Sequence, residues 1–204
     1  REIYLILSLV ISFVVIPLSF YLLEKPTEIR PSPKEIKNYL QTTKIAISGR
    51  QLQLFLGLAG VGCCIAMAMP QVHIVAYCVG LGYGPTIGAE MLSLMLACGV
   101  ISRITFGVCA DRLGGFYTLI LSSTLQMLSL FLFLPFNGMV SLYVVSAIFG
   151  LSQGGIVPSY TIVVREFLPA HEAGQRIGIV LMLTIFGMAI GGWMSGWIFD
   201  QSGS

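Results

Sequence analysis

Six long apolar runs dominate this sequence and constrain its fold more than any other feature. Each is close to the roughly 20 residues that an α-helix needs to cross the hydrocarbon core of a bilayer. The runs are Ile3–Leu23, Leu52–Val79, Ala89–Ala110, Phe116–Phe136, Met139–Val164 and Ile177–Phe199. They lack the charged stripe at helical spacing that a soluble bundle presents to water. The pattern therefore predicts an all-α membrane protein with six transmembrane helices.

The composition excludes most other classes of protein. Apolar residues make up 56% of the 204 residues and charged residues 10%, whereas an ordinary soluble domain is nearer 25% charged. The formal net charge of +2 gives no indication of a nucleic-acid partner. The sequence contains no P-loop, H-E-x-x-H motif, nucleophile elbow or dinucleotide-binding fingerprint. We therefore expect no enzymatic activity and no cofactor, with proton coupling left open.

The basic residues occupy alternate loops, and this predicts the orientation of the chain. Six Lys and Arg residues follow the first run, Arg112 follows the third, and Arg165 and Arg176 follow the fifth. The loops after the second and fourth runs have none. The positive-inside rule makes the basic loops cytoplasmic, and Trp193 and Trp197 then suit the outer aromatic belt. We predict a multi-pass protein of the bacterial inner (plasma) membrane.

Residues 24–51 form the long linker between the first two runs. Ser32-Pro33-Lys34-Glu35 is typical of a capped helix start, with serine at the N-cap and proline at the first helical position. Apolar residues then recur on one face between Ile36 and Ile47. We expect an amphipathic helix lying on the cytoplasmic leaflet, with a regulatory partner site as the alternative.

Arg103 is the most informative single residue because it lies near the middle of the third run. It precedes Asp111 by eight residues, about 12 Å along a helix, in a hydrocarbon core of ~30 Å. Inserting a mid-membrane arginine costs roughly 2.5–3.5 kcal/mol, and Glu90 is 13 residues away. A guanidinium facing a dry cavity can grip a carboxylate. Arg103 is therefore a candidate substrate-binding residue, and pairing with another acid or with helix carbonyls is the alternative.

A glycine-rich polar turn, Gly107-Val108-Cys109-Ala110-Asp111-Arg112-Leu113-Gly114-Gly115, joins the third and fourth runs. Its glycines permit close packing of the two helices. Asp111 can stabilise the N-terminus of a nearby helix. Arg112 can meet a lipid phosphate or a cytoplasmic carboxylate such as Glu166 or Glu172.

This G-x-x-x-D-R-x-G-G turn resembles the signature turn of the major facilitator superfamily, in the copy between the eighth and ninth helices. The resemblance covers essentially the whole chain and implies a piece of a twelve-helix transporter that lacks the first five helices and the twelfth. It implies that residues 1–23 are the last helix of the amino-terminal bundle, 24–51 the linker and 52–204 an incomplete carboxyl-terminal bundle. It also assigns a conformational latch to Gly107, Asp111, Arg112 and Gly115.

The string Arg103-Ile104-Thr105-Phe106-Gly107 resembles the eighth helix of monocarboxylate transporters and the related oxalate/formate antiporter group. The resemblance implies that Arg103, four residues before the glycine, contacts the substrate anion. Some monocarboxylate transporters have a proton-coupling acid one turn before that arginine. This sequence has Gly99 there, so the resemblance does not extend to proton coupling through this helix.

Two polar residues within apolar runs are further substrate-site candidates. His73 could carry a proton, since a histidine pKa lies near neutrality, or it could bond to a carbonyl. Gln153 could line a cavity or bond to another helix. The fifth run also contains Gly150, Gly154 and Gly155, followed by Pro158, and this proline could supply a bend.

Small residues in the sixth run predict a face that packs closely against another helix. The glycines with this spacing are Gly187, Gly191, Gly192 and Gly196. In the resembled family this helix lies close to the opposite bundle, so the same face could also slide during transport. Tight packing and sliding are compatible interpretations.

These features and the family resemblance together predict a secondary transporter that moves a small monocarboxylate-like anion by alternating access, with symport and exchange both left open. Its expected partners are the small-molecule substrate, the lipid bilayer and the amino-terminal half of the same protein. The alternatives are an exporter of a neutral or drug-like solute, with Arg103 structural, and a membrane sensor that does not transport.

Overall fold

The described part of the chain is a bundle of apolar helices. A computed structural model describes residues 48–202 together with Phe13 and Pro17, which are both helical. The helices are α1 (Gly49–Gly80), α2 (Pro85–Leu113), α3 (Gly115–Phe131), α4 (Met139–Gln153), α5 (Ile156–Phe167) and α6 (Ala173–Ser202), with a short 3₁₀ turn at Ala170–Glu172. No strand occurs among these residues. The rest of the first run and the segment predicted to form the amphipathic linker helix lie outside them.

Four described segments are long and apolar enough to cross a membrane, and they confirm the second, third, fifth and sixth predicted runs. They are Gly49–Gly80, Pro85–Leu113, Met139–Phe167 and Ala170–Gln201. The fourth run differs, because α3 has 17 residues and ends at Phe131 rather than at Phe136. Pro135, within the turns that follow, lacks an amide hydrogen and disfavours helical conformation at the residue before it.

The fifth run is interrupted just before Pro158, the residue from which the sequence predicts a bend. Helix α4 ends at Gln153 and α5 begins at Ile156, so Gly154 and Gly155 form the break. Pro158 is the third residue of α5, and its nitrogen has no hydrogen to donate to the Gly154 carbonyl one turn back. Both glycines keep right-handed helical backbone angles, so the proline accounts for the break better than the glycines do.

Helix α3 shows the inside-out polarity of a membrane helix. Its buried polar residues are Thr118, Ser122, Gln126 and Ser129. Its exposed residues include Phe116, Tyr117, Ile120, Leu128 and Phe131. Gln126 Nε2 donates to the carbonyl of Cys63 in α1 at 3.0 Å, so the polar stripe bonds to protein. Large apolar side chains on the outside and small polar ones inside are stable only where the surroundings are lipid.

Helices α1 and α6 run parallel in close contact, which we call the α1–α6 seam. A Cβ added at Gly187 would lie 2.7 Å from the carbonyl oxygen of Val61, and one added at Gly191 would lie 2.5 Å from that of Ile65. These distances leave no space for a side chain. The small-residue face of α6 therefore packs on the backbone of α1, within the same bundle.

Arg176, one of the basic residues that follow the fifth run, connects the start of α6 to the start of α1. Arg176, near the start of α6, donates to Gln53 Oε1 at 2.7 Å and to the carbonyl of Gly49 at 3.4 Å. Its Nε also donates to Glu172 Oε2 at 2.7 Å. This guanidinium holds the pKa of the Glu172 carboxyl below its usual value. The sequence offered Glu172 as one of several possible partners of Arg112, and in the structure its carboxylate pairs with Arg176, one helical turn away.

Candidate functional site

Arg103 lies on α2, beside the stripe of residues that packs on α4 and α5. The buried residues of α2 include Met95, Gly99, Ser102 and Phe106, which recur at helical spacing on one face. Arg103 follows Ser102 and is exposed. It forms no hydrogen bond or ion pair with the part of the chain that the structure describes. A mid-helix cation thus lies at the edge of a packed face within an apolar segment.

Three glycines hold α4 and α5 directly against this stretch of α2, in a contact that we call the α2–α4 seam. A Cβ added at Gly150 would collide with the carbonyl oxygen of Met95. One added at Gly154 would lie 2.5 Å from the carbonyl oxygen of Gly99, and one at Gly155 would collide with the ring of Phe106. The seam fixes the position of α2 on both sides of Arg103.

Ser102 ties α2 to the helix break. Its Oγ donates to the carbonyl of Leu151 at 2.6 Å, and its side chain is almost fully buried. Leu151 lies in the last turn of α4, where carbonyl groups lose their intrahelical partners. The hydroxyl next to Arg103 therefore bonds to a carbonyl at the interrupted end of α4.

Gln153 meets a second polar side chain at the same break. Gln71 Nε2 in α1 donates to Gln153 Oε1 at 2.9 Å. Gln71 directly follows Pro70, which lies inside α1. The sequence indicated that Gln153 either lines a cavity or bonds to another helix, and the structure shows the second. Gln71 was not singled out from the sequence, although a polar residue next to a mid-membrane proline was the available signal.

His73 lies on the other side of α1 from Gln71. Positions i and i+2 of an α-helix are about 200° apart around its axis. His73 accordingly faces α6. The ring Nε2 lies 3.0 Å from the carbonyl oxygen of Gly192, so Nε2 carries the hydrogen in this bond. The structure therefore brings Gln153 close to α2, near Gly99, and places His73 in the α1–α6 seam. The roles of Gln153 and His73 in substrate binding stay predictions.

The signature turn has one tightly packed glycine and one open one. A Cβ added at Gly115 would lie 2.7 Å from Ile162 Cγ2, whereas nothing described lies within 4 Å of one added at Gly107. Gly114 ends α2 with φ +86°, a left-handed backbone conformation that glycine adopts without strain. Close packing thus explains Gly115 but leaves the space beside Gly107 free among the described residues.

The carboxylate at the start of α3 comes from Glu166, not from Asp111. Gly115 N lies 2.9 Å from Glu166 Oε1 and 3.1 Å from Oε2 and donates to that carboxylate. A carboxylate there also offsets the positive end of the helix dipole. Asp111 and Arg112 are both exposed. The sequence could not show this cap, because Glu166 is 51 positions away along the chain.

Apolar helices, an inside-out α3 and an interrupted helix beside a mid-membrane arginine define a multi-pass integral membrane protein. The model of the Major Facilitator Superfamily matches residues 1–192, and the chain belongs to that family. It is 28% identical to monocarboxylate transporter 13 of Rattus norvegicus over 138 residues, which are 67% of this chain and 32% of the relative. It is 30% identical to the gallate transporter of Pseudomonas putida over 122 residues, 59% of this chain and 26% of the relative.

The chain thus spans between about a quarter and a third of the length of these relatives. No solved structure gave a significant match.

Proposed function

We propose that the full-length protein is a secondary transporter of a small organic anion, and that Arg103 binds the carboxylate of that anion. The observation that carries the proposal is an exposed guanidinium, without a described partner, inside a 29-residue apolar helix. A charge in this position normally faces a bundle interior or a cavity rather than lipid. The relatives include a monocarboxylate transporter and a gallate transporter, which fits an anionic substrate.

The helix break beside Arg103 is consistent with this site. In secondary transporters, substrates bind near the bilayer midplane, beside discontinuous helices. Here the break at Gly154 and Gly155 packs directly on the α2 stretch that includes Arg103. We propose that the described helices belong to the carboxyl-terminal bundle, which starts after the linker 24–51, and that residues 1–23 belong to the other bundle. Alternating access would then rock the two bundles around Arg103.

We assign the signature turn to the conformational latch of this cycle. Asp111 and Arg112 are exposed at the end of α2, and the space beside Gly107 is open among the described residues. Both features leave this part of the turn free to contact residues outside the described bundle. Gly115 and Glu166 would instead keep α3 fixed to α5 while the latch opens and closes.

The test is uptake of labelled lactate, pyruvate, formate and oxalate by the full-length protein in proteoliposomes, with and without an inward proton gradient. Arg103→Gln should reduce kcat/KM for the transported acid at least about tenfold, because a charge-assisted hydrogen bond contributes roughly 1.5–3 kcal/mol. Arg103→Lys should retain part of the activity, since it keeps the charge but not the two-pronged geometry.

The matched control is Arg50→Gln, which removes an exposed arginine at the start of α1 and should leave transport unchanged. Dependence of uptake on the gradient would separate symport from exchange. Normal anion uptake by Arg103→Gln would refute the substrate role of Arg103. If wild-type protein moves none of the acids, the proposal of a small-acid carrier fails and neutral solutes become the next candidates.

A further inference from the structure

Two irregular helices meet at one hydrogen bond in the described bundle. Gln71 follows Pro70 in α1, and Gln153 is the last residue of α4 before the break at Gly154 and Gly155. Their amides are joined by the bond from Gln71 Nε2 to Gln153 Oε1, at 2.9 Å. We call the two residues the glutamine pair. A continuous membrane helix satisfies its own backbone hydrogen bonds. In secondary transporters, irregular helices lie beside substrate sites, so a polar pair at two irregular helices indicates a candidate binding position.

The hydrogen bond within the pair uses only part of its capacity. Each amide has one carbonyl acceptor and an NH₂ group with two donor hydrogens. Gln71 Oε1 and Gln153 Nε2 bond to no described residue, and neither is among the buried, unpaired polar atoms. Gln153 is 5% exposed and Gln71 is half-buried, so the pair lies largely inside the bundle. The pair offers one free acceptor and one free donor side by side.

The glutamine pair lies beside the segment of α2 that carries Arg103. A Cβ added at Gly99 would lie 3.8 Å from the carbonyl oxygen of Gly150 and 3.9 Å from Gln153 Nε2. Gly99 thus leaves room for a small side chain, unlike the tightly packed Gly150 and Gly154. Arg103 is one turn further along α2, about 6 Å in axial distance, and long helical side chains lean back toward the N-terminus. The guanidinium is therefore expected near the level of Gly99.

We propose that the glutamine pair is a second binding element of the anion site and selects acids that carry a hydroxyl group close to the carboxylate. The inference rests on the proposed function, in which Arg103 binds the carboxylate. A hydroxyl group both donates and accepts a hydrogen bond, so it matches the free donor and acceptor of the pair. An oxo group can use only the donor. A methylene group uses neither and leaves both amide atoms unpaired, which is unfavourable in a dry site.

The experiment compares uptake of lactate, pyruvate and propanoate by the full-length protein in proteoliposomes. These acids share a three-carbon chain and differ at the carbon next to the carboxylate. Wild-type protein should prefer lactate over propanoate by roughly tenfold in kcat/KM, with pyruvate between them. Gln153→Met and Gln71→Met, each close in size to glutamine, should bring the lactate-to-propanoate ratio to within about twofold of one. Uptake of propanoate itself should change little.

Gln126→Met is the matched control, because Gln126 is a buried glutamine whose amide bonds to the Cys63 carbonyl in another part of the bundle. It should lower the melting temperature in detergent without altering the ratio. Gln153→Met and Gln71→Met are tested separately, so the comparison can still be made if one of the two proteins fails to insert into the membrane. An unchanged lactate preference in either correctly inserted pair variant, with transport still dependent on Arg103, overturns this inference alone. Transport independent of Arg103 overturns the proposed function as well.

Discussion

The α1–α6 seam and the α2–α4 seam are built from the same residue type but differ in what surrounds the glycines. Both bring backbone onto backbone, at Gly191 against Ile65 and at Gly150 against Met95. The α1–α6 seam runs between helices without a break, although α1 contains Pro70, and its polar residue His73 bonds to the Gly192 carbonyl. The α2–α4 seam contains a helix break, and Arg103 and the glutamine pair lie beside it. Close glycine packing therefore does not by itself identify a site, and the proposed site rests on the polar groups beside the α2–α4 seam.

The largest expected effects come from filling either seam with a methyl group. Gly150→Ala and Gly191→Ala should each destabilise the protein by about 1–3 kcal/mol, because the opposing atoms are backbone and cannot move aside. Thermal unfolding in detergent, followed by size-exclusion chromatography, measures this. Gly107→Ala is the control: its added Cβ would meet nothing described, and alanine favours helix by about 1 kcal/mol. Equal losses in all three variants would contradict the distinction between packed and open glycines.

A smaller effect should distinguish the two seams by function. Ser102→Ala removes the bond to the Leu151 carbonyl and should cost about 1 kcal/mol of stability. Because Ser102 precedes Arg103 and is bonded to the end of α4, the KM for the transported acid should also rise. Ser93→Ala, which removes an exposed hydroxyl bonded only within α2, should change neither quantity. A Ser102→Ala protein with lower stability but an unaltered KM would make this hydroxyl purely structural.

The smallest effect is expected at His73, in the α1–α6 seam. Gln can still donate to the Gly192 carbonyl, so His73→Gln should shift stability by less than about 1 kcal/mol. If the seam is only a packing contact, the pH profile of uptake should be the same in both proteins. Loss of gradient-driven uptake by a stable His73→Gln protein would instead support the substrate-site role predicted from the sequence. It would also remove the functional difference between the two seams.

Local patterns were sufficient to predict the described helices but not all of their ends. Hydropathy runs located α1, α2 and α6, because crossing a bilayer requires a long apolar helix. The run at α3 was predicted five residues too long, since hydropathy does not register the turn around Pro135. The break in the fifth run was predictable from Pro158, which follows Gly154 and Gly155.

The candidate site divides in the same way. Arg103 and the signature turn stand out in the sequence because a mid-membrane charge is costly and the turn resembles a known motif. The partners of these features are distant in the chain: Gln71 and Gln153 are 82 positions apart, and Gly115 and Glu166 are 51 apart. No local propensity connects such residues, so the glutamine pair and the Glu166 cap became visible only in the folded bundle.

The sequence by itself determined that this chain is a membrane protein, because an apolar composition reflects a lipid surrounding. It also identified the family, because the match to the Major Facilitator Superfamily needs no coordinates. Only the tertiary structure decided which glycines serve packing and which leave space. A glycine has no side chain to reveal its environment, so Gly99, Gly107 and Gly150 look alike in the sequence. The distances across each seam distinguish them, because close packing is a property of two surfaces and not of one.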